Sequence, residues 1–253
     1  MSSFRLKRSI KNLLRHIANR YEMELYSSWK IKELPLVNHL KEIFRDHRID
    51  MVVDVGANLG QYHDLLREEV GYKGEILSFE PVKNVATTLF ERSKEDPNWQ
   101  IFGYALGSSS GSAEINIMAS SDFNSFLNPR NDIDNTFHSK NSIVSKETVR
   151  VNTLDNFFQE AGIDCSKRNG FLKIDTQGFD MEVIKGGRNS LKNILALQME
   201  ASVRPIYDGM PNYVQTIEEM NQIGFDLSSI FPVTFDNKKR VIEFDCVFVK
   251  RDK

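Results

Sequence analysis

The sequence contains little cysteine, and its two cysteines lie far apart. Cys165 and Cys246 form no C-x-x-C pair and have no histidine pattern beside them. A disulfide framework and a zinc finger are therefore excluded, and this cysteine content suits a reducing compartment. The five histidines are scattered along the chain, so no histidine cluster supports a transition-metal site.

Long apolar runs are lacking as well. No segment approaches the roughly 20 residues of a transmembrane helix, and no uninterrupted apolar stretch of the signal-peptide type stands near the start. The formal net charge of −2 gives no reason to expect nucleic acid as the main partner. With 40% hydrophobic and 27% charged residues, we expect a cytoplasmic protein with a real core.

Acidic residues are absent from residues 1–20, where Leu6, Ile10 and Leu13 begin an apolar pattern with helical spacing. The bases of this stretch are Arg5, Lys7, Arg8, Lys11, Arg15 and Arg20. The pattern predicts a basic amphipathic helix that packs on its own domain or a second subunit, or rests on an anionic membrane surface. A second helical stripe follows an interruption near Pro35. We therefore predict an N-terminal helical extension over 1–48 and a main domain over 49–253.

From residue 50 onward, strand and helix patterns alternate. Apolar runs predict strands over 50–55, 74–81 and 99–107, with two further strands before the last helix. The stretch 107–145 is rich in Ser, Asn, Asp and Gly and predicts an extended hairpin or flap. The last two strands flank Asp236–Lys239, a connection short enough to require an antiparallel pair. The pattern predicts an α/β fold with a doubly wound, mostly parallel sheet and an antiparallel C-terminal hairpin.

The first predicted strand runs into a turn of small residues, as residues 51–62 read MVVDVGANLGQY. Helical spacing begins directly after this turn. Gly56 and Gly60 let the backbone approach another group closely, and the following helix presents free N–H groups. A strand, turn and helix in this order predict the first βα unit of a ligand-binding sheet.

Three observations bear on the ligand of that turn. Glu80 ends the second strand, where a carboxylate can accept hydrogen bonds from both hydroxyls of a ribose. Asn58 and Gln61 stand where a dinucleotide motif requires glycines. Asp54 would repel a pyrophosphate but attract the ammonium of a methionine moiety. The pattern favours S-adenosylmethionine over a nicotinamide dinucleotide, although Glu80 suits both.

Six segments together resemble the FkbM-type S-adenosylmethionine-dependent methyltransferases: VVDVGANLGQY, LSFEPVKNVATTL, ALGSSSG, VNTLDNFF, LKIDTQGFDMEVIKGG and LQMEAS. The resemblance runs from about residue 50 to about residue 230. It implies a class I methyltransferase-like fold and methyl transfer to a hydroxyl of a sugar, a glycan or a secondary metabolite. It does not cover residues 1–48, nor convincingly 120–145, which are expected to choose the acceptor.

The expected cofactor contacts come from the glycine turn and from the ends of the neighbouring strands. Adenine is expected near Ala105 and Leu106, and less strongly near Asn84. The predicted cofactor-binding residues are Asp54, Gly56, Ala57, Asn58, Gly60, Glu80, Pro81, Asn84, Ala105, Leu106, Asp175 and Gln177.

The predicted catalytic residues are Asp175, Glu200 and Lys173. Asp175 follows a strand beside the first strand, and alternation directs Lys173 to the same side. Glu200 ends the next strand at the same edge. Two carboxylates this close could raise the pKa of one of them, which helps a base, or chelate a divalent cation, and the sequence leaves both open. Arg204, Tyr207 and Asp208, with Asn124, Ser125 and Phe126 in the predicted flap, are the expected acceptor-side contacts.

Three functions follow from these patterns. The first is an S-adenosylmethionine-dependent O-methyltransferase with a small-molecule or glycan acceptor. The second is a nicotinamide-dependent oxidoreductase, which Glu80 permits. The third is a non-catalytic module that retains the fold and acts at a membrane surface or in homo-oligomers through residues 1–20.

Overall fold

The structure, a computed structural model, describes residues 30–130, 137 and 139–252. The chain divides into two units between His39 and Leu40. The domain boundary expected between residues 48 and 49 stays a prediction. The basic helix expected over residues 1–20 lies outside the described residues.

Strands and helices alternate along the described chain. The strands are β1 (Met51–Val55), β2 (Glu75–Phe79), β3 (Trp99–Phe102), β4 (Ala105–Leu106), β5 (Gly111–Met118), β6 (Ile143–Asn152), β7 (Gly170–Ile174), β8 (Ile194–Ser202), β9 (Phe225–Phe235) and β10 (Val241–Lys250). The helices are α1 (Leu34–Asp46), α2 (Gln61–Asp64, continued as a π-helix over Leu65–Val70), α3 (Lys83–Ser93), α4 (Leu154–Glu160), α5 (Asp180–Gly186) and α6 (Tyr213–Gln222).

Local sequence explains where several helices begin. Pro35 lies in the first turn of α1, where a residue needs no partner for its backbone N–H. The Thr153 side chain accepts a hydrogen bond from the Asn156 N–H and caps the start of α4. Asn212 and Gln215 form a capping box at the start of α6.

The main sheet of the described residues contains seven strands in the order β3-β2-β1-β7-β8-β10-β9. Neighbours from β3 to β8 pair in parallel, whereas β10 is antiparallel to both β8 and β9. The chain winds outward from β1 in one direction and from β7 in the other. This confirms the predicted fold, and it places the ligand crevice of a doubly wound sheet at the carboxyl ends of β1 and β7.

The two faces of the sheet differ in polarity. One face is apolar throughout its centre, with Val53, Ile174 and Met199 buried against helix residues such as Phe157 of α4 and Ile184 of α5. This face supplies the main hydrophobic core. Cys165 and Cys246 are buried there as free thiols, consistent with the predicted absence of a disulfide framework.

The opposite face carries a row of buried polar side chains across four strands. Asp54 of β1 lies in register with Ser78 of β2 and Lys173 of β7, and Lys173 lies in register with Gln198 of β8. All four are at least nine-tenths buried. Tyr62 of α2 covers this row, since its hydroxyl donates to Gln198 Oε1 at 3.0 Å and Lys173 Nζ lies 5.4 Å from its ring centroid. Such a row is stable only because its members pair with one another.

The single strand predicted over 99–107 is wrong. β3 ends at Phe102, and the Tyr104 N–H donates to the Phe102 carbonyl at 3.0 Å in a tight turn. The chain then changes sheet, because β4 pairs in parallel with β6 in a second sheet of order β4-β6-β5. β5 and β6 are antiparallel, so the extended hairpin predicted over 107–145 is present, but its second strand continues to Asn152.

No helix in the described ranges is long and apolar enough to cross a membrane.

Candidate functional site

The turn after β1 packs directly against the turn after β7. Gly56 has φ +81°, and a β-carbon there would overlap the carbonyl oxygen of Asp175. The Asp175 N–H in turn donates to the Val55 carbonyl at 3.0 Å. The sequence predicted that the backbone at Gly56 approaches another group closely. That group is the Asp175 carbonyl of the same chain. This contact fixes the glycine turn beside the carboxylate of Asp175.

Asn58 and Glu80 form the next part of the site. The Glu80 carboxylate accepts hydrogen bonds from the Asn58 N–H and the Val82 N–H, each at 2.9 Å. Burial raises the pKa of Glu80 to about 7, although these two backbone hydrogen bonds oppose the rise. Asn58 has φ +43°, and its Oδ1 is buried without a hydrogen-bond partner among the described residues. An unpaired buried amide oxygen beside a carboxylate suits a polar ligand such as a ribose and its neighbours.

The predicted contact between Asp54 and a cofactor ammonium needs correction. The Asp54 side chain is fully buried within the polar row, where Ser78 Oγ donates to Oδ2 at 3.0 Å and Lys173 Nζ lies 3.5 Å from Oδ1. Burial raises the pKa of Asp54, and the Lys173 charge and the Ser78 hydroxyl oppose that rise. Asp54 therefore stabilises the polar row and presents no surface to a ligand.

Lys173 belongs to the same polar row. It is 7% exposed and lies between two carboxylates, Asp54 at 3.5 Å and Asp175 at 3.3 Å. Burial alone would lower the pKa of Lys173, but the two carboxylates outweigh burial and raise it. Lys173 is therefore a buried, charged partner of both carboxylates. Its predicted catalytic role stays a prediction.

Asp175 and Glu200 converge at the carboxyl edge, as the sequence predicted. The Gln177 amide joins them, because its Nε2 donates to Asp175 Oδ1 at 3.1 Å and to Glu200 Oε2 at 3.3 Å. Gln177 Oε1 accepts from the Tyr207 hydroxyl at 3.2 Å. Burial raises the pKa of Glu200 well above its ordinary value, and the charge of Glu243 adds to the rise. The predicted cofactor residue Gln177 therefore links the two predicted catalytic carboxylates.

The turn that presents Gln177 is held by Asp180. Its carboxylate accepts hydrogen bonds from the Thr176 N–H and hydroxyl, each at 3.0 Å, and from the Gly178 N–H at 3.3 Å. Gln177 has φ +52°, a conformation that non-glycine residues adopt only when their surroundings impose it. The hydrogen bonds to the buried Asp180 carboxylate thus offset the backbone strain at Gln177.

Sequence reasoning missed two acids of this site, Glu243 and Asp245 of β10. Asp245 lies in register with Glu200, and Glu243 lies in register with Ser202. Burial raises the pKa of Asp245 to about 6 and that of Glu243 to about 7. A signal was present, because two acids at alternate positions begin an otherwise apolar strand. An antiparallel β10 starts at the edge where β8 ends, which brings these acids to the site.

The predicted adenine contacts are placed less favourably. Ala105 and Leu106 are 5% and 1% exposed, and Leu106 belongs to the main core. Their side chains therefore offer little surface for stacking, which corrects the expected role of Leu106. Asn84 is exposed in the first turn of α3, and Pro81 is half-buried beside Glu80. These two residues, with the buried Ala57 and Gly60 of the glycine turn, remain predicted contacts.

A flap covers this edge of the sheet; we define it as residues 119–130. Asn58 Nδ2 donates to Asp122 Oδ1, and Ser125 Oγ donates to the Gln177 carbonyl at 2.7 Å. The Tyr207 hydroxyl donates to the Phe123 carbonyl at 2.8 Å. The flap therefore contacts both the glycine turn and the carboxylate turn. Of the expected acceptor-side residues, Ser125 and Tyr207 lie at the site, whereas Arg204 pairs with Asp236 at 3.4 Å.

A divalent cation does not fit the described residues. No group of three or more His, Cys, Asp or Glu side chains among them is arranged to hold a metal ion. A methionine-derived cofactor fits better, because the glycine turn, the unpaired Asn58 Oδ1 and the Glu80 carboxylate lie together at the carboxyl ends of β1 and β2.

The chain is similar to several solved structures. Methyltransferase FkbM from Methylobacillus flagellatus KT is 14% identical with TM-score 0.47, covering 89% of this chain and 56% of that one. Aeropyrum pernix fibrillarin, solved with natively bound S-adenosyl-L-methionine, is 11% identical with TM-score 0.42, covering 79% and 66%. A SAM-dependent methyltransferase from Aquifex aeolicus is 12% identical with TM-score 0.41, covering 89% and 100%.

At these identities the likenesses do not extend to activity or substrate, and the chain spans about half to two thirds of the first two structures. No curated protein sequence matches the chain. The sequence profile of the Methyltransferase FkbM domain matches residues 54–227, which is well over half of the chain. This match covers the glycine turn, Glu80 and the carboxylates of β7 and β8, and it shows that the chain belongs to the FkbM methyltransferase family.

Proposed function

We propose that this protein is an S-adenosylmethionine-dependent O-methyltransferase acting on a hydroxyl of a sugar, a glycan or a secondary metabolite. The observation that carries the proposal is the junction of Asp175 and Glu200 through Gln177, directly beside the glycine turn. A hydroxyl must lose its proton when it is methylated, and carboxylates at this position can accept that proton. Family membership supports the transferred group.

The residues that would hold the cofactor are those of the glycine turn together with Glu80. Glu80 would accept hydrogen bonds from the ribose hydroxyls, and Asn58 Oδ1 would gain the partner that it lacks. When bound, S-adenosylmethionine supplies a methyl group on a positively charged sulfur. The flap contacts both the glycine turn and the carboxylate turn, so it would lie over the bound cofactor and acceptor.

Asp175 and Glu200 would bind and deprotonate the acceptor. Lys173 Nζ donates to Asp175 Oδ2 at 3.3 Å, which would keep the Asp175 carboxylate in one orientation. Gln177 donates to both carboxylates, so it would hold Asp175 and Glu200 together at the place where the acceptor hydroxyl binds. Holding the oxygen in line with the methyl carbon is the main contribution expected of such positioning.

Titration calorimetry of the full chain tests the cofactor. We expect S-adenosylmethionine and S-adenosylhomocysteine to bind and NADH not to bind. Binding of NADH alone would support the oxidoreductase instead, and no binding of any of the three would support a non-catalytic module. Transfer of a labelled methyl group to hydroxylated sugars and glycan fragments then tests the acceptor class.

Residues 1–20 support a further part of this proposal. Their six bases without an acid favour peripheral contact with an anionic membrane surface, or homo-oligomerisation, for a protein of the cytoplasm. The acceptor would be a small molecule or a glycan, and we expect no nucleic-acid partner.

A further inference from the structure

A buried acid on β10 faces the carboxylates of the site without a partner of its own. Glu243 is 5% exposed, and no hydrogen bond or ion pair joins its side chain to any residue in the described part of the chain. Glu243 lies opposite Ser202 and Asp245 lies opposite Glu200. Paired residues and alternate residues of a strand share one face, so Glu243 and Glu200 are diagonal neighbours on the polar face.

Glu200 and Asp175 differ in how their negative charges are compensated. Lys173 Nζ lies 3.3 Å from Asp175 Oδ2. Within the described residues, Glu200 has no such cation and accepts only the neutral Gln177 amide. An uncompensated carboxylate in a buried place binds a proton more readily than one beside an ammonium group. Burial and the neighbouring carboxylates therefore favour a proton on Glu200.

The surroundings of the pair are acidic. The titratable groups that act on Glu200 or Glu243 are Asp175, Asp180, Asp245 and Tyr207. Burial raises the pKa of both glutamates, and the charge of Glu243 is the next cause at Glu200. Within the described residues, Glu200 and Glu243 are thus neighbouring carboxylates of β8 and β10 with no cation paired to either of them.

We propose that Glu243 is a positioning residue that sets the proton affinity of Glu200, so that Glu200 accepts the proton of the acceptor hydroxyl. This inference rests on the proposed function. In the step, the hydroxyl O–H bond breaks and its proton passes to Glu200. The bond from that oxygen to the methyl carbon forms, and the carbon–sulfur bond breaks with its electron pair remaining on sulfur. Asp175, held by Lys173, orients the hydroxyl.

The first test needs no acceptor. Carbon-13 NMR of the full chain, labelled at glutamate carboxyls, follows the titration of Glu200 in the wild type, Glu243→Gln, Glu243→Asp and Glu218→Gln. We expect Glu243→Gln to lower the Glu200 midpoint by at least about one pH unit, a tenfold loss of proton affinity. Glu243→Asp keeps the charge and should restore most of the shift. Glu218, exposed on α6, is the matched control and should leave the midpoint unchanged.

An unchanged Glu200 midpoint in a folded Glu243→Gln protein overturns the inference. If that variant does not fold, Glu200→Gln provides the reciprocal measurement, in which the Glu243 midpoint must fall; an unmoved midpoint there also overturns it. Folding is checked by circular dichroism and by affinity for S-adenosylmethionine.

The second test uses an acceptor found in the methyl-transfer screen. The pH at which kcat/KM is half-maximal should move to lower pH in Glu243→Gln, in step with the Glu200 midpoint. A profile identical to that of the wild type would contradict the inference. Absence of any transfer by the wild type would count against the proposed function instead, and would leave the NMR titration valid.

Discussion

Gly56 and Asp175 lie so close together that residue 56 has no room for a β-carbon. Its position would coincide with the Asp175 carbonyl oxygen, and φ at Gly56 is +81°. The contact joins the turn expected to hold the cofactor to the turn that carries Asp175 and Gln177. In the proposed function, the spacing between the methyl donor and the acceptor depends on this pair.

We expect Gly56→Ala to lower the free energy of unfolding by at least about 2 kcal/mol more than Gly71→Ala, because only the former adds a backbone clash. Gly71 is the matched control, since its φ is +80° and nothing lies within 4 Å of an added β-carbon. Urea denaturation measures both. Equal losses of unfolding free energy in the two variants would show that the turn after β1 can move away from the turn after β7 without destabilising the protein.

Glu80→Ala should weaken binding of S-adenosylmethionine by about 1–3 kcal/mol, the scale of losing hydrogen bonds to a charged group. Glu91→Ala on the exposed face of α3 is the control and should leave affinity unchanged, because the Glu91 carboxylate pairs with Lys94 at the end of the same helix. Calorimetry measures both variants. Full affinity of a folded Glu80→Ala protein would remove Glu80 from the ribose site.

Asp175→Asn and Glu200→Gln should retain cofactor binding and lower turnover at least about 100-fold, the range for losing an acid–base group. Both changes preserve shape and remove charge. Because the described residues do not form a metal site, we expect a chelator to leave wild-type activity unchanged. Activity lost to chelator and restored by magnesium or manganese would contradict this, and near-wild-type turnover of both variants would place the chemistry elsewhere.

The stability of the wild type relative to Glu243→Gln should fall as pH rises. The pKa of Glu243 is raised from 4.5 to about 7 in the folded protein, so the folded state binds more protons than the unfolded chain between these values. The stabilisation is complete below about pH 4.5 and is lost as pH rises through about 7. We expect a relative loss on the order of 2 kcal/mol between about pH 5 and pH 8. Parallel curves from urea titrations across that range would refute the assignment.

Deletion of residues 1–20 should leave affinity for S-adenosylmethionine nearly intact and change either self-association or binding to anionic vesicles. The reason is that its six bases on an amphipathic pattern are separate from every predicted cofactor contact. Sedimentation and flotation with vesicles measure the two outcomes. No change in either would identify the segment as an ordinary packing element.

Much of the fold could be predicted because its signals are local. The order of strands and helices, the Thr153 cap and the C-terminal hairpin follow from periodicity and turn residues within a few positions of each element. The split of 99–107 could not be predicted, because the choice between two sheets depends on β6, which lies more than thirty residues away in the sequence.

The same difference between local and long-range signals applies to the candidate site. Asp175 and Glu200 could be predicted to meet, because parallel neighbours end at one edge. The burial of Asp54 and Lys173 could not, since it depends on which side of the sheet each strand turns its polar residues toward. Asp54 binds Ser78 and Lys173 only because three strands align in register. Glu243 lies near Glu200 because β10 pairs antiparallel with β8, and no local pattern in the sequence specified that pairing.

The order of the sheet has a consequence for anyone who trims this chain. The family match ends at residue 227, three residues into β9, whereas Glu243 and Asp245 lie on β10. A fragment cut at residue 227 would keep the glycine turn and Glu200 but lose the acids opposite it. It would also leave β8 as an open edge with a row of unpaired amides and carbonyls, which invites aggregation. The range that the family profile matches is thus shorter than the sheet that brings Glu243 and Asp245 beside Glu200.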